Sequence, residues 1–368
     1  LSPDEVVDGR LELASGGSTV KLDARPGASN DADLQLAIAS LGDWLPDASG
    51  RLDGHLIIRG RPPKLSINGQ LRGQSLAWRQ QKADTLQLIV GIPDISHPAG
   101  KLDLRAGNVH LQGLQFQHLA LLAEGSQGDH RLTLDAHGSQ LSGRLALHGA
   151  LKGPAWNGML STLDLEPQGM PGWRLQRPSH LSYHDGAMSL SELCLSAGEP
   201  QLCVTAKQDK PGNLDASYRL HALPLALLLN AAGDADLPIR AEGSLEGSGK
   251  IRRSAAGAFS GNASLGSAQG SVSYTDRADQ PLLRYDQLRV DADLAPAGQR
   301  IAVHGGLDDG GRLDGQLTIS GAQQTLAGQL DLRLNSLAFV ELFSSELAGV
   351  KGGVDGHFRF AGTLKQPA

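Results

Sequence analysis

The sequence has few aromatic residues and almost no cysteine. Phe, Trp and Tyr make up 4% of its 368 residues, and there are two cysteines. Enzymes commonly anchor a compact core on aromatic side chains, which bury the most area per residue. A core built almost wholly from Leu, Ala and Val instead suits a surface that accepts apolar partners of variable shape.

The sequence also lacks long apolar runs and any concentration of positive charge. Its net charge is −6 with Lys and Arg scattered singly, which argues against a nucleic-acid partner. The longest apolar run contains Pro224 and falls well short of the ~20 residues of a transmembrane helix. Because the chain begins without Met or a signal sequence, we expect it to be a fragment of a longer protein.

Alternation of apolar and polar residues dominates the chain and predicts β-strands. Residues 86–90, 101–104 and 330–334, for example, place Leu and Val on one face and mostly Gln, Asp, Lys or Arg on the other. Glycine-containing pairs separate such segments about every 8–12 residues, as in an antiparallel meander. The 47 glycines also fit bends and bulges within strands.

A glycine-rich phrase recurs along the chain. Residues 50–60 return almost unchanged as residues 311–321, and looser copies begin at Gly143, Gly243 and Gly352. The irregular spacing predicts one continuous segment over residues 1–368 rather than a solenoid of fixed period.

Three copies of the phrase follow short segments with a helical pattern. These segments are residues 41–45, 225–231 and 337–343. We therefore predict a unit made of a strand, a short helix, a Gly-rich turn and a strand pair. The quasi-repeats fall near residues 34–73, 219–265, 307–334 and 333–368.

A sheet with one apolar face must bury that face, and the predicted helices are too few to cover it. Periodicity alone favours a β-sandwich or barrel with a dry core. The alternative is an open sheet that curls into a trough, since large open sheets usually curl. Acyl chains would fill such a trough, at ~0.8 kcal/mol for each buried methylene.

Cys194 and Cys203 flank a predicted hairpin turn centred on Gly198 and Glu199. Counting outward from the turn places them opposite each other at a non-hydrogen-bonded pair, with Cα atoms ~4.5 Å apart and within disulfide range. Pro200 cannot donate the closing hydrogen bond of a two-residue turn, so a four-residue loop is expected. A disulfide on the polar face, formed in an oxidising compartment, is favoured over two inert thiols or a redox or metal site.

No catalytic constellation is evident, and we predict no enzyme activity, cofactor or metal. His180 and His184 have metal-like spacing, but on a strand their rings lie ~13 Å apart. The carboxylates that recur in the glycine-rich phrase are expected to bond nearby backbone in turns rather than to form an acidic site. They are Asp53, Glu246, Asp314 and Asp355.

Three features together resemble the TamB family, within the AsmA-like superfamily. They are the helix followed by Gly-x-Leu-Asp-Gly-x-Leu, the run Gly172-Trp-Arg-Leu175, and the Leu-Cys-Leu and Leu-Cys-Val strands of the cysteine hairpin. The resemblance implies a β-taco, a U-shaped sheet with a hydrophobic lumen that bridges the inner and outer membranes. It also implies phospholipid transport, or assistance to outer-membrane protein assembly with the barrel partner TamA, contacted through regions outside this chain.

With the resemblance included, the expected fold is mostly β, a long, curved, antiparallel-rich sheet forming a U-shaped hydrophobic groove with a few short helices. The expected function is a periplasmic, non-enzymatic bridge that conducts phospholipids by their acyl chains, as part of an inner-membrane-anchored protein. A scaffold or chaperone for outer-membrane proteins such as autotransporters is the first alternative. A structural spacer with a closed core is the second, and a glycan-processing enzyme is the least favoured. The residues expected to line the groove are Leu52, Leu56, Ile58, Leu65, Ile67, Leu86, Leu88, Leu102, Leu104, Leu145, Leu147, Leu193, Leu195, Leu313, Leu317 and Ile319.

Overall fold

The chain forms two compact units, Leu1–Asp185 and Gly186–Ala368. A computed structural model describes residues 9–25, 30–61, 64–97, 99–227, 239–275, 281–321, 324–335, 350, 352–363 and 366–367. In both units, antiparallel strands follow one another along the chain, because short turns join successive alternating segments.

The first unit is a meander with a 3-10 helix, Leu41–Asp43, between its third and fourth strands. Its strands are β1 (Gly9–Ser15), β2 (Ser18–Arg25), β3 (Asn30–Ile38), β4 (Ala48–Arg61), β5 (Lys64–Trp78), β6 (Gln81–Asp94), β7 (Ala99–Leu111), β8 (Leu114–Ser126), β9 (Asp129–Gly138), β10 (Leu141–Lys152), β11 (Ala155–Pro167), β12 (Trp173–Leu175) and β13 (Ser179–His184). Each strand from β1 to β10 pairs antiparallel with the next. β11 pairs in addition with β12 and β13.

The second unit repeats this plan, with a 3-10 helix at Asp308–Gly310. Its strands are β14 (Ala187–Ser196), β15 (Gln201–Gln208), β16 (Leu214–Pro224), β17 (Ile239–Arg253), β18 (Phe259–Tyr274), β19 (Pro281–Ala295), β20 (Gly298–Leu307), β21 (Gly311–Ser320), β22 (Thr325–Leu334), β23 (Val354–Phe360), β24 (Gly362–Thr363) and β25 (Gln366–Pro367). Successive strands from β14 to β23 pair antiparallel. β24 pairs with β22 and β25.

The predicted fold class, mostly β with antiparallel strands and few helices, is confirmed. Of the three predicted helices, the first contains the 3-10 turn Leu41–Asp43. The second is helical over residues 225–227, and its remainder lies outside the described residues, as does all of the third.

The glycine-rich phrase lies inside strands, so the prediction of a turn within it was wrong. β4 contains the whole phrase from residue 50 to residue 60, and its second copy begins β21. Gly54 is needed for packing rather than for a turn, because a Cβ there would lie 2.2 Å from Cδ2 of Leu71 on the neighbouring strand. The leucine occupies the space that the glycine leaves.

Several strands are kinked where a residue other than glycine adopts a left-handed backbone. Ala222 in β16 has φ 48° and Asn108 in β7 has φ 50°. The strand register of β16 shifts at Ala222, as in a β-bulge, which bends a strand. A carboxylate from the adjacent strand holds each kink: Glu246 accepts from the Ala222 N–H at 2.9 Å, and Asp84 accepts from Nδ2 of Asn108 at 2.9 Å. Bending is therefore not confined to the glycines.

Candidate functional site

Cross-strand register collects aliphatic side chains on one side of the first unit, here called its apolar face. A continuous row crosses this face with one residue from each strand from β1 to β11. The row consists of Leu13, Val20, Leu36, Gly54, Leu71, Leu88, Leu104, Leu121, Leu134, Leu145 and Leu163. At ~4.8 Å for each strand spacing, it extends for about 48 Å across the sheet.

The second unit has an apolar face of the same kind. Its row crosses the strands from β14 to β23 and contains two glycines. The residues are Leu195, Leu202, Leu220, Gly247, Leu265, Val290, Val303, Gly315, Leu330 and Phe358. As at Gly54, a Cβ at Gly247 would lie 2.7 Å from Cδ2 of Leu265, so the neighbouring leucine occupies the gap.

The apolar face of the first unit is not buried as the core of a sandwich would be. Every side chain in the row of the first unit remains partly exposed, and Leu13 is 44% exposed. Leucines in a closed core are usually fully buried. The described part of the first unit therefore presents an aliphatic surface that its own strands do not cover.

The sixteen residues selected from the sequence all lie on these two faces. Eleven belong to strands β4, β5, β6, β7 and β10 of the first unit, and five to β14 and β21 of the second. Their partners across the ladders are themselves mostly aliphatic or Gly, as for Leu56 opposite Leu34 and Leu317 opposite Ile301. The structure fixes their position on the faces, and their role as a lining for acyl chains remains a prediction.

A concave region of the apolar face lies at one edge of the first unit. It encloses a cavity of ≈ 710 Å³, bounded by the short helical segment before β4 and by the adjoining ends of β5, β6 and β7. Of the predicted residues, Leu86 and Leu104 line it. The rest of the lining was not predicted and includes Leu41, Leu45 and Trp78. The one sequence feature that could have indicated this cavity is the aromatic and basic pair Trp78-Arg79 at a turn.

A second cavity, of ≈ 470 Å³, lies at the opposite edge and includes the predicted Leu102 together with Trp156. The Trp156 ring packs over two glycines, since a Cβ at Gly158 would lie 2.3 Å from a ring carbon and one at Gly149 would lie 2.9 Å away. Its Nε1–H donates to Nε2 of His130 at 2.9 Å. These contacts hold the indole against the sheet, where it lines the cavity.

The opposite side of each unit, here called the polar face, carries ion pairs between neighbouring strands. His148 bonds to Asp129 at 2.6 Å and Arg144 to Asp135 at 2.8 Å. The His148 hydrogen bond lowers the pKa of Asp129, and the Asp135 hydrogen bond raises the pKa of Arg144. Such exposed pairs stabilise little, and they indicate that this face is in water.

The recurring carboxylates lie inside strands, so the expectation that they stabilise turns was wrong. Glu246 does accept a backbone N–H, but from Ala222 on the neighbouring strand. Asp314 lies within β21 and bonds to Nδ1 of His304 at 2.8 Å, and Asp355 lies within β23 and bonds to Arg333 at 2.7 Å. Asp53 likewise lies inside a strand. Alternation places Asp53 opposite Arg72, Asp314 opposite His304 and Asp355 opposite Arg333.

The predicted disulfide between Cys194 and Cys203 is confirmed, with Cα atoms 4.1 Å apart. The loop has the expected four residues, and the Ala197 N–H donates to the Pro200 carbonyl at 2.9 Å. Cys203 lies opposite Arg219 on the polar face, as the alternation predicted. The Glu192 carboxylate lies beside both sulfurs, but sulfurs joined in a disulfide are not thiolate ligands for a metal.

The fold and its faces define a class: a mostly β protein whose antiparallel sheets expose a long aliphatic surface on one side and a charged surface on the other. The family model described as "TamB, N-terminal domain" matches residues 6–368. The chain therefore belongs to the TamB family. No solved structure matches it.

Family membership implies a role in the translocation and assembly module, with an association with TamA and with membranes. TamB-family proteins span the periplasm from an anchor in the inner membrane. In the described part of this chain, no helix has the length and hydropathy required to cross a bilayer.

Proposed function

We propose that this chain is a periplasmic, non-catalytic conduit that carries phospholipids by their acyl chains along its apolar faces. The observation that supports this most is the partly exposed row from β1 to β11, which is aliphatic on every strand except β4, where it has Gly54. In this proposal the headgroup stays in water while the acyl chains lie against the leucines. The chain works between the inner and outer membranes as part of an anchored protein.

The dimensions of the row suit movement of a lipid from strand to strand. An acyl chain spans about 15 Å, half of the ~30 Å hydrocarbon thickness of a bilayer. The row of the first unit, at about 48 Å, is several times longer. Each methylene removed from water contributes ~0.8 kcal/mol. Because successive positions are chemically alike, a lipid that moves by one strand exchanges equivalent contacts and meets no large barrier.

A scaffold in outer-membrane protein assembly is the second candidate, and one observation favours it. β1 is exposed along its whole length, with Leu11 50% exposed, and in the described chain it pairs only with β2. An open strand edge can add a strand from another protein. Proline substitutions along β1 would impair a scaffold and leave lipid binding intact.

The test is native mass spectrometry with lipid extraction on the chain purified from bacterial periplasm. Leu56→Asp and Leu147→Arg place a charge on the apolar face, where an unpaired charge costs several kcal/mol. Ala146→Arg is the matched control, because residue 146 lies on the opposite face of the same strand. We expect phospholipid on the wild type and the control and none on the two variants, with unchanged thermal unfolding. A folded wild type that carries no lipid, and takes none from liposomes, would refute the conduit.

A further inference from the structure

The cavity at the edge of the first unit has an open, apolar mouth. Leu45 is 55% exposed and Trp78 is 53% exposed, and both line the cavity. The inner wall continues into the apolar face through Leu86 and Leu104. A volume of ≈ 710 Å³ lies within the range of ligand sites, about 300–1,000 Å³. The mouth therefore connects solvent with the aliphatic row.

Two cations lie at this mouth without a carboxylate partner in the residues described. The Arg79 guanidinium stacks over the Trp78 ring, with Cζ 5.0 Å from the ring centroid. Lys82 also lines the cavity, and Asp47 contributes the one acidic side chain, so the mouth carries a formal charge of +1. The Arg79 N–H donates to the Asp47 carbonyl at 3.2 Å, which fixes the start of the turn.

Several arginines on the polar face, unlike Arg79, have carboxylate partners. Arg144, Arg252 and Arg289, for example, each bond to an aspartate at 2.5–2.8 Å. A guanidinium left unpaired and oriented by an aromatic ring beside an apolar cavity is complementary to an anion that has an apolar tail. Its planar fork matches the oxygens of a phosphate in two parallel hydrogen bonds.

We propose that this mouth is a headgroup site, at which Arg79 and Lys82 bind the phosphate of an anionic phospholipid while its acyl chains enter the cavity. The inference rests on the proposed function and adds to it a place where lipid enters or leaves the apolar face, and a preference for negative headgroups. Trp78 and Leu45 contact the first methylenes of the chains. Lys82 contributes a second positive charge to the phosphate.

The experiment measures uptake from phosphatidylcholine liposomes that contain either fluorescent phosphatidylglycerol or a fluorescent diacylglycerol with the same acyl chains. The test variant is Arg79→Gln/Lys82→Gln in the full chain. The control, Lys64→Gln/Lys152→Gln, removes two charges at the opposite edge, where β5 begins and β10 ends. Arg79→Lys/Lys82→Arg keeps the charge and serves as the rescue variant.

We expect the test variant to lose at least tenfold in phosphatidylglycerol uptake, with diacylglycerol uptake unchanged and the control and rescue variants close to wild type. Equal loss of both lipids would assign the two residues a structural role and overturn the headgroup site. No loss would overturn it while leaving the conduit intact. If inorganic phosphate competes as effectively as phosphatidylglycerol, the site binds free anions without recognising a lipid, and the headgroup site is overturned. A wild type that takes up neither lipid would refute both proposals.

Discussion

Two adjacent leucines in β8 lie on opposite faces of the sheet, so the same substitution at each position tests the apolar face. Leu121 lies in the aliphatic row between Leu104 and Leu134. Leu122 lies on the polar face, directly opposite Asp103. Leu121→Arg and Leu122→Arg therefore have the same composition, charge and position along the chain, and differ only in the face on which the cation is placed.

The expected effects differ because the surroundings differ. At residue 121 the guanidinium has no counter-ion among its aliphatic row neighbours, and an acyl chain that passes must cover it. Covering an unpaired charge costs several kcal/mol, and bending of the long side chain towards water recovers part of that cost. A net cost of about 3 kcal/mol corresponds to a ~100-fold slower transfer. At residue 122 the new cation meets Asp103 and water, and we expect a change of less than about twofold.

The assay is transfer of a fluorescent phospholipid from donor to acceptor liposomes, with thermal unfolding of each variant as the control for folding. Slow transfer by Leu121→Arg alone would support the reasoning. Equal rates for both variants, whether slow or fast, would show that the apolar face is not the path of the acyl chains.

Two further predictions concern stability. Replacing both cysteines with alanine removes a cross-link between residues nine apart in sequence, which should cost about 2.6 kcal/mol by loop-closure entropy and lower the melting temperature by about 5–10 °C. Calorimetry with and without reductant measures this, and a wild type insensitive to reductant would contradict it. His148→Ala should remove the hydrogen bond that lowers the pKa of Asp129. Because a lowered carboxyl pKa stabilises the fold above the ordinary value of about 3.9, the variant should be less stable than wild type at about pH 5, and the difference should shrink as the pH falls below about 3.9 through the lowered pKa. An unchanged difference across that range would contradict the assignment.

The positions of the predicted lining residues followed from local sequence because a strand has a period of two. Once Leu145 and Leu147 are assigned to one strand, they must share a face, and their antiparallel partners share it with them. The cysteine hairpin was predictable for the same reason, since its short loop fixes the register of Cys194 and Cys203. These features depend on residues that are close in sequence.

The features that the sequence reasoning missed depend on distant residues. The kink at Ala222 is held by the carboxylate of Glu246 from the next strand. No pattern in the residues around Ala222 predicts this contact. The turn role assigned to Asp314 was wrong because its partner, His304, lies ten residues away on another strand. Leu45 and Trp78 are separated by a whole hairpin, and their joint position at one cavity follows only from the pairing of β4 with β5.

The sequence by itself determined that the chain forms strands, which side of each strand is aliphatic, and where the disulfide lies, because alternation and short turns act over a few residues. The tertiary structure decided whether those aliphatic sides meet. The ladder register aligned a leucine or its equivalent on nearly every strand from β1 to β11 and left the row partly exposed. It also placed Arg79 and Lys82 at a cavity that continues into that row. Both outcomes depend on contacts between different strands. The free energy of such contacts depends on both partners, so the sequence of a single strand does not determine it.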